Sequence, residues 1–143
     1  MYFFISSLNN LDVIWIGTGE SANRNSSAYG DGIYKSIDGG KSFINMGLKS
    51  THQIAEIEIH PNNSDVVFVA AVGHLWGYTG KRGLFKTIDG GKSWRKIGGG
   101  LPSDNKTGCT EIVIHPNNPN IMFAGFYHRL RQPASFISGG ENS

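Results

Sequence analysis

The sequence predicts an all-β fold assembled from repeated units of short antiparallel strands, and three observations carry that expectation. Glycine supplies 20 of the 143 residues, about twice the usual share, so the backbone turns often and its strands are short. No stretch sustains the periodicity of a helix, whereas alternating and β-branched runs recur along the whole chain. The chain also repeats itself. Ile33-Tyr-Lys-Ser-Ile-Asp-Gly-Gly-Lys-Ser-Phe43 returns as Leu84-Phe-Lys-Thr-Ile-Asp-Gly-Gly-Lys-Ser-Trp94, a spacing of 51 residues from Ser36 to Thr87. The run from Ile57 to Ala70, with its His-Pro-Asn-Asn turn, returns 55 residues later from Ile112 to Gly125, and a weaker copy stands at Asn9–Gly17.

A period of about 50 residues in a turn-rich β sequence is that of one four-stranded propeller blade. In the best-defined unit, strand A is read at 54–60, where Ile57 and Ile59 alternate with Glu56 and Glu58. The His-Pro-Asn-Asn turn follows, because proline and asparagine favour turn dihedrals and break ladders. Strand B at 66–72 is a continuous apolar run, the mark of a strand covered on both faces. Strands C and D are read at 82–88 and 93–97, joined by the Asp-Gly-Gly turn. By the same reading 11–17, 32–37 and 42–46 are B, C and D of an earlier unit, and 109–115 and 121–127 are A and B of a later one. The expectation is a partial β-propeller of about two and a half four-stranded antiparallel blades, spanning about 1–47, about 53–98 and, for the half blade, about 109–143. A propeller closes with roughly 4–8 blades. The chain therefore reads as a piece of a longer protein or a truncated reading frame, the alternative being several copies assembled into one ring.

Composition narrows the function classes. Lys and Arg number 13 against 11 Asp and Glu, a net charge of +2, too balanced for a nucleic-acid or anionic-membrane partner. No run approaches a membrane span, and the opening Met-Tyr-Phe-Phe-Ile-Ser-Ser lacks the basic start of a signal peptide. The lone Cys109 excludes an internal disulfide framework and a cysteine zinc cluster. His60 and His115 occupy equivalent turn positions without a third ligand nearby, so they read as turn residues, and no metal or cofactor is expected. The glycosylation triplets at Asn25, Asn62 and Asn105 read as chance in an Asn- and Ser-rich chain.

Ser36-x-Asp38-x-Gly40-x-Ser42-Phe43 and Thr87-x-Asp89-x-Gly91-x-Ser93-Trp94 resemble the Asp-box, or bacterial neuraminidase repeat. The aspartate is placed to accept backbone N–H bonds across the turn, the glycines permit positive φ, and the aromatic residue packs between the hairpin and a neighbouring sheet. These roles are structural: Asp38 and Asp89 are read as turn residues, not catalytic ones.

In an up-and-down blade the A–B and C–D turns lie at one end, and the B–C and D–A loops at the other. The aspartate turns and His-Pro-Asn-Asn turns then share one end. The opposite end collects long B–C loops at 18–31, 73–81 and 128–143, with D–A loops around 48–53 and 98–108. Long loops on a rigid scaffold are where binding groups gather. The candidate ligand-binding residues are Glu20, Arg24 and Asp31 in the first loop, His74, Trp76 and Arg82 in the second, and His128, Arg129 and Arg131 in the third. Each has a structural competitor. Glu20 and Arg24 read equally as a loop-stabilising ion pair, and Trp76 either stacks on a sugar ring or plugs a gap between blades. Arg129 and Arg131 either grip a carboxylate or sulfate or stand solvated. Glu56 and Glu111 fall at one register of two inner strands. They read as a carboxylate pair for glycoside chemistry or as charged groups meeting cations and water.

The runs Trp15-Ile-Gly-Thr-Gly-Glu20, Gly30-Asp-Gly-Ile-Tyr-Lys-Ser36, Gly73-His-Leu-Trp-Gly77 and Arg82-Gly83 are similar to the Asp-box propellers of sortilin-type and xyloglucanase-like proteins. So are Lys106-Thr-Gly-Cys-Thr-Glu111, Tyr127-His-Arg-Leu-Arg131 and Gly139-Gly-Glu-Asn-Ser143. The resemblance runs from Leu11 to the end. Relatives often carry Asp-Pro where this chain has His60-Pro61 and His115-Pro116. The resemblance implies a propeller of seven or more blades within a much longer, usually exported protein. Two functions follow as expectations: a module whose loop end binds a glycan or peptide, flanked by the remaining blades of its parent chain, or part of a glycoside hydrolase acting on a polysaccharide.

Overall fold

The computed structural model describes residues 3–22, 26–140 and 143. Its strands form three antiparallel sheets, and in each the strands lie side by side in chain order. The first sheet holds β1 (Phe3–Ser7), β2 (Asn10–Gly17), β3 (Ile33–Ser36) and β4 (Ile44–Asn45). The second holds β5 (Ile54–Ile59), β6 (Val67–Ala71), β7 (Gly83–Thr87) and β8 (Arg95–Lys96). The third holds β9 (Thr107–Ile114), β10 (Met122–Gln132) and β11 (Ser135–Ser138). No helix among the described residues is long and apolar enough to cross a membrane.

The sequence repeats are repeats of register. Val69 pairs with Ile57 and Phe85 in the second sheet, as Ile16 pairs with Phe4 and Tyr34 in the first. Side chains alternate across a strand, so each sheet has a front face (Phe4 and Ile16; Ile57 and Val69; Ile112 and Ala124) and a back face (Ile5 and Trp15; Glu58 and Phe68; Val113 and Phe123). The fronts of the second and third sheets pack on the backs of the first and second. Val13, Trp15 and Ile33 meet Ile57, Val67, Val69 and Phe85 in one buried cluster. Phe68, Ala70 and Leu84 meet Cys109 and Ile112 in the other. All of β6 is buried, because it alone is covered on both faces by complete clusters. On the back faces of the first two sheets a lysine lies over the aromatic ring, Lys35 at 5.0 Å from Trp15 and Lys86 at 5.1 Å from Phe68.

Glycine sets how closely the sheets approach. A Cβ at Gly17 would lie 2.4 Å from Ile54, and one at Gly108 would lie 2.6 Å from Val72.

The two aspartate turns are built identically. Asp38 Oδ1 accepts from the Ser36 hydroxyl at 2.7 Å and the Ser42 backbone N–H at 2.9 Å, while Oδ2 accepts from the Ser42 hydroxyl at 2.6 Å. Asp89 takes the same bonds from Thr87 and Ser93 at 2.7, 2.9 and 2.5 Å. The Ser36 and Thr87 hydroxyls in turn accept the N–H of Gly40 and Gly91. These bonds, the Ser42 and Ser93 hydroxyls first, hold both carboxyls well below the ordinary value of 3.8, Asp38 at about 2. The His-Pro turns are equally regular: His60 Nδ1 accepts the N–H of Asn62, and His115 Nδ1 those of Asn117 and Asn118. The imidazole there substitutes for an Asx side chain.

At the two ends of the chain the structure adds one strand and corrects one expectation. Residues 3–7, which show no clear sequence repeat, form β1 and supply the first strand of the first sheet. Residues 128–132, expected within a loop, continue β10, and 135–138 fold back on it as β11. The apolar and β-favouring run through Leu130 extends the strand, Pro133-Ala134 turns it, and the Arg131 N–H anchors it to the Leu75 carbonyl at 2.8 Å. β11 pairs with Arg129–Gln132, beyond the stretch equivalent to where β7 pairs with β6.

Candidate functional site

The long loops converge at one end of the sheets, opposite the aspartate turns. The loops 18–32, 46–53 and 72–82 are tied by backbone bonds: Gly30 N–H to His52 O at 2.7 Å, Ile54 N–H to Thr18 O at 3.1 Å and Val72 N–H to Gln53 O at 3.2 Å. At their centre lies Gln53, fully buried, whose Nε2 donates to Ser27 Oγ at 2.7 Å and whose Oε1 accepts from Arg129.

Two candidate arginines are pillars of this arrangement. Arg129 is 1% exposed and donates to the carbonyls of Ser21 at 2.7 Å and Gly73 at 3.2 Å as well as to Gln53. It thereby links all three loops to β10. Burial, with Arg82 nearby, pulls its guanidinium down to about 10, which leaves it charged at neutral pH. Arg82 is 2% exposed and donates to the carbonyls of Lys106, His74 and Gly77 at 2.9, 3.1 and 3.0 Å. Gly73, at φ 74°, makes room for it, since a Cβ there would meet Arg82 Nε at 2.6 Å.

Around these pillars stand rings. Tyr29, His52 and His74, one from each loop, lie with centroids 4.8 to 5.8 Å apart. His74 Nε2 bonds the Tyr29 hydroxyl at 2.6 Å and its Nδ1 bonds Thr79 Oγ1 at 3.1 Å. Burial lowers the His74 pKa, reinforced by His52, Arg82 and Arg129, which favours the neutral imidazole. A second pair repeats the motif: the Tyr78 hydroxyl meets His128 Nε2 at 2.9 Å, with Lys106 Nζ 5.5 Å from the Tyr78 ring. His128 and Lys106 border a depression of about 440 Å³ that also touches Asp104 and Ile137. His52 adopts a positive φ of 60°, uncommon for a residue with a side chain.

The remaining candidates divide. Trp76 is 40% exposed at this end. Arg131 is half-buried, its guanidinium 5.7 Å from the Phe136 ring. Asp31 accepts the Tyr34 hydroxyl at 2.6 Å, and Glu20 is half-buried in the first loop. Arg24 lies outside the described residues, as do Asn25 and Glu141. Tyr29, His52, Gln53 and Tyr78 belong to the site by position, although no motif marks them. The available signal is the concentration of His and Tyr in loops that need only glycine and polar residues to turn.

Glu56 and Glu111 sit on neighbouring strands β5 and β9, and Glu56 Oε2 accepts the Ile112 N–H at 2.5 Å. Burial raises the Glu56 pKa, opposed by that bond and assisted by the Glu111 charge. Burial, then Glu56, raises Glu58 in the same way. No group of three metal-ligating side chains occurs among the described residues. Cys109 is buried and its thiol is pushed up to about 12, chiefly by desolvation, which favours the protonated thiol over the reactive thiolate at neutral pH. No protein-family model matches the chain, and no curated protein matches it significantly.

Proposed function

We propose that the three sheets are consecutive blades of an Asp-box β-propeller belonging to a larger, exported protein, and that its loop end binds a glycan or peptide. The observation that carries the binding reading is the convergence of Tyr29, His52 and His74, with Tyr78 and the exposed Trp76 following on the same loop as His74, on loops that Arg82 and Arg129 tie together. Rings with polar edges on a pre-ordered surface suit sugar faces and peptide side chains alike, because little entropy is lost on binding. The front-to-back stacking supports the blade reading, as do the two outer sheet faces, which further blades would cover.

A hydrolase would need two free acids at a separation of about 5–9.5 Å. Glu56 accepts the Ile112 N–H of the adjoining sheet and Asp31 accepts the Tyr34 hydroxyl within its own sheet, structural bonds that favour the binding reading. Glycan and peptide arrays probed with the chain, beside a screen of xyloglucan and chromogenic glycosides, test it. Retention on an array without turnover is the expected result, and turnover of any glycoside contradicts it.

A further inference from the structure

The two units that carry aspartate turns share a backbone but differ in charge at three places. Lys81, Arg82 and Lys96 stand 51 residues after Gly30, Asp31 and Asn45, and Lys96 pairs with Phe85 as Asn45 pairs with Tyr34. The first unit therefore builds the same strands without a cation at any of the three. There Asn45 serves its own loop, donating to the Asp31 carbonyl at 3.1 Å and accepting the Gly47 N–H at 3.0 Å. Lys96 is exposed and runs along Gly83, where a Cβ would come within 2.6 Å of Lys96 Cε and 3.2 Å of its Nζ.

The three cations border a cavity of about 360 Å³ whose walls all come from residues 80–105. Phe85 and the half-buried Trp94 supply an apolar wall. Lys81 is exposed at the rim, whereas Arg82 is 2% exposed and directs its amino groups to backbone carbonyls. Carbonyl dipoles do not neutralise a guanidinium, so its charge adds to the field of the two ammoniums. Among the described residues Asp104 is the one acidic group on the wall. Its carboxylate accepts the N–H groups of Lys106 and Thr107 at 2.8 and 2.6 Å and the Thr107 hydroxyl at 3.0 Å. It thus caps its own loop and offsets one of the three positive charges.

We propose that this cavity binds the carboxylate or sulfate of an acidic saccharide, with Lys81 and Lys96 gripping the anion and the Trp94 wall receiving an apolar face of the sugar ring. The volume lies at the small end of the range for ligand pockets, which suits a single sugar unit. Ser103 and Asn105 offer neutral edges to its hydroxyls. A peptide's acidic side chain would match the lysines but leave the aromatic wall and the neutral edges unused. The inference rests on the proposed function only in taking the bearer of the anion to be a glycan.

NMR titration of the chain with trigalacturonate, galactose 6-sulfate, galactose and triglutamate at about 50 mM salt, where exposed charges are weakly screened, tests it. At least one of the two acidic sugars should bind saturably, and galactose and triglutamate should not. Lys81→Gln, and Lys96→Asn with the side chain of the first unit, should each weaken that binding roughly fivefold, the worth of one exposed ion pair. Their urea midpoints should match wild type, because both side chains are exposed. No saturation by either acidic sugar, equal binding of galactose, or affinities that both lysine variants leave unchanged overturns the anionic pocket. Triglutamate binding as tightly as the sugars overturns the saccharide assignment. None of these results bears on recognition at the ring cluster, which the arrays and Trp76→Ala read separately.

Discussion

Trp94 of the second sheet donates its indole N–H to the Met46 carbonyl of the preceding segment at 2.8 Å, while its ring meets Trp15 edge-on with centroids 6.1 Å apart. The aromatic residue that ends the aspartate turn therefore joins one sheet to the next through both a hydrogen bond and an edge-to-face contact. Trp94→Phe should cost about 1 kcal/mol, the net worth of the lost hydrogen bond. Trp94→Ala should cost about 3 kcal/mol, with the ring contact gone as well. Urea unfolding of the two variants beside wild type checks both. A loss below about 0.5 kcal/mol for the alanine variant would show that the ring does not join the sheets.

The glycines of the two turns provide an internal control. Gly91 and Gly40 share a positive φ, 94° and 88°, but a Cβ at Gly91 would lie 2.6 Å from the Trp15 ring and one at Gly40 no closer than 3.5 Å to Ile14. Each alanine variant carries the backbone strain, about 1 kcal/mol. Gly91→Ala adds overpacking of about 1–3 kcal/mol. The ordering of the two urea midpoints, Gly91→Ala lower, is the expected result.

Acid should loosen the turns in a defined window. The folded Asp38 carboxyl binds its proton less tightly than an unfolded one, so it adds stability above the ordinary value of 3.8 and loses it as pH falls to about 2. Asp89 shifts in the same direction. Asp38→Asn should therefore lower the urea midpoint at pH 7, and the gap from wild type should close as pH falls through that window. A gap that stays constant with pH would mean that the carboxylate's charge plays no part.

Arginines at the loop end should separate into two kinds. Arg129→Ala removes the donor to Gln53 and to two backbone carbonyls in a buried setting and should cost about 3 kcal/mol. Arg82→Ala should behave alike. Arg131→Ala at a half-buried position should change stability by less than about 1 kcal/mol. Thermal melts of the three variants distinguish these roles.

Much of the fold is legible in the sequence because its determinants are local. The duplicated Ser/Thr-x-Asp-x-Gly-x-Ser turns carry their own hydrogen-bond partners, and the Val67–Ala71 run announces a strand covered on both sides. β1 escapes the repeat pattern because its Phe-Phe-Ile-Ser-Ser is recognisable only through its partner β2. The extension of β10 is masked by His128, Arg129 and Arg131, polar residues that read as loop. Arg129 belongs in a strand because carbonyls from three distant loops receive its guanidinium, a long-range fact that spacing does not encode. The end on which the loops gather follows from strand parity alone, whereas Gln53 and His52 enter the site through backbone geometry.

Array binding at the two ends of the molecule tests the account most directly. Trp76→Ala at the loop end should weaken capture of the glycan or peptide by roughly tenfold, with its unfolding free energy within about 0.5 kcal/mol of wild type. Lys92→Ala, on the aspartate turn at the opposite end, should bind as wild type does. Binding that survives Trp76→Ala and is lost on Lys92→Ala would place recognition at the wrong end and contradict the account.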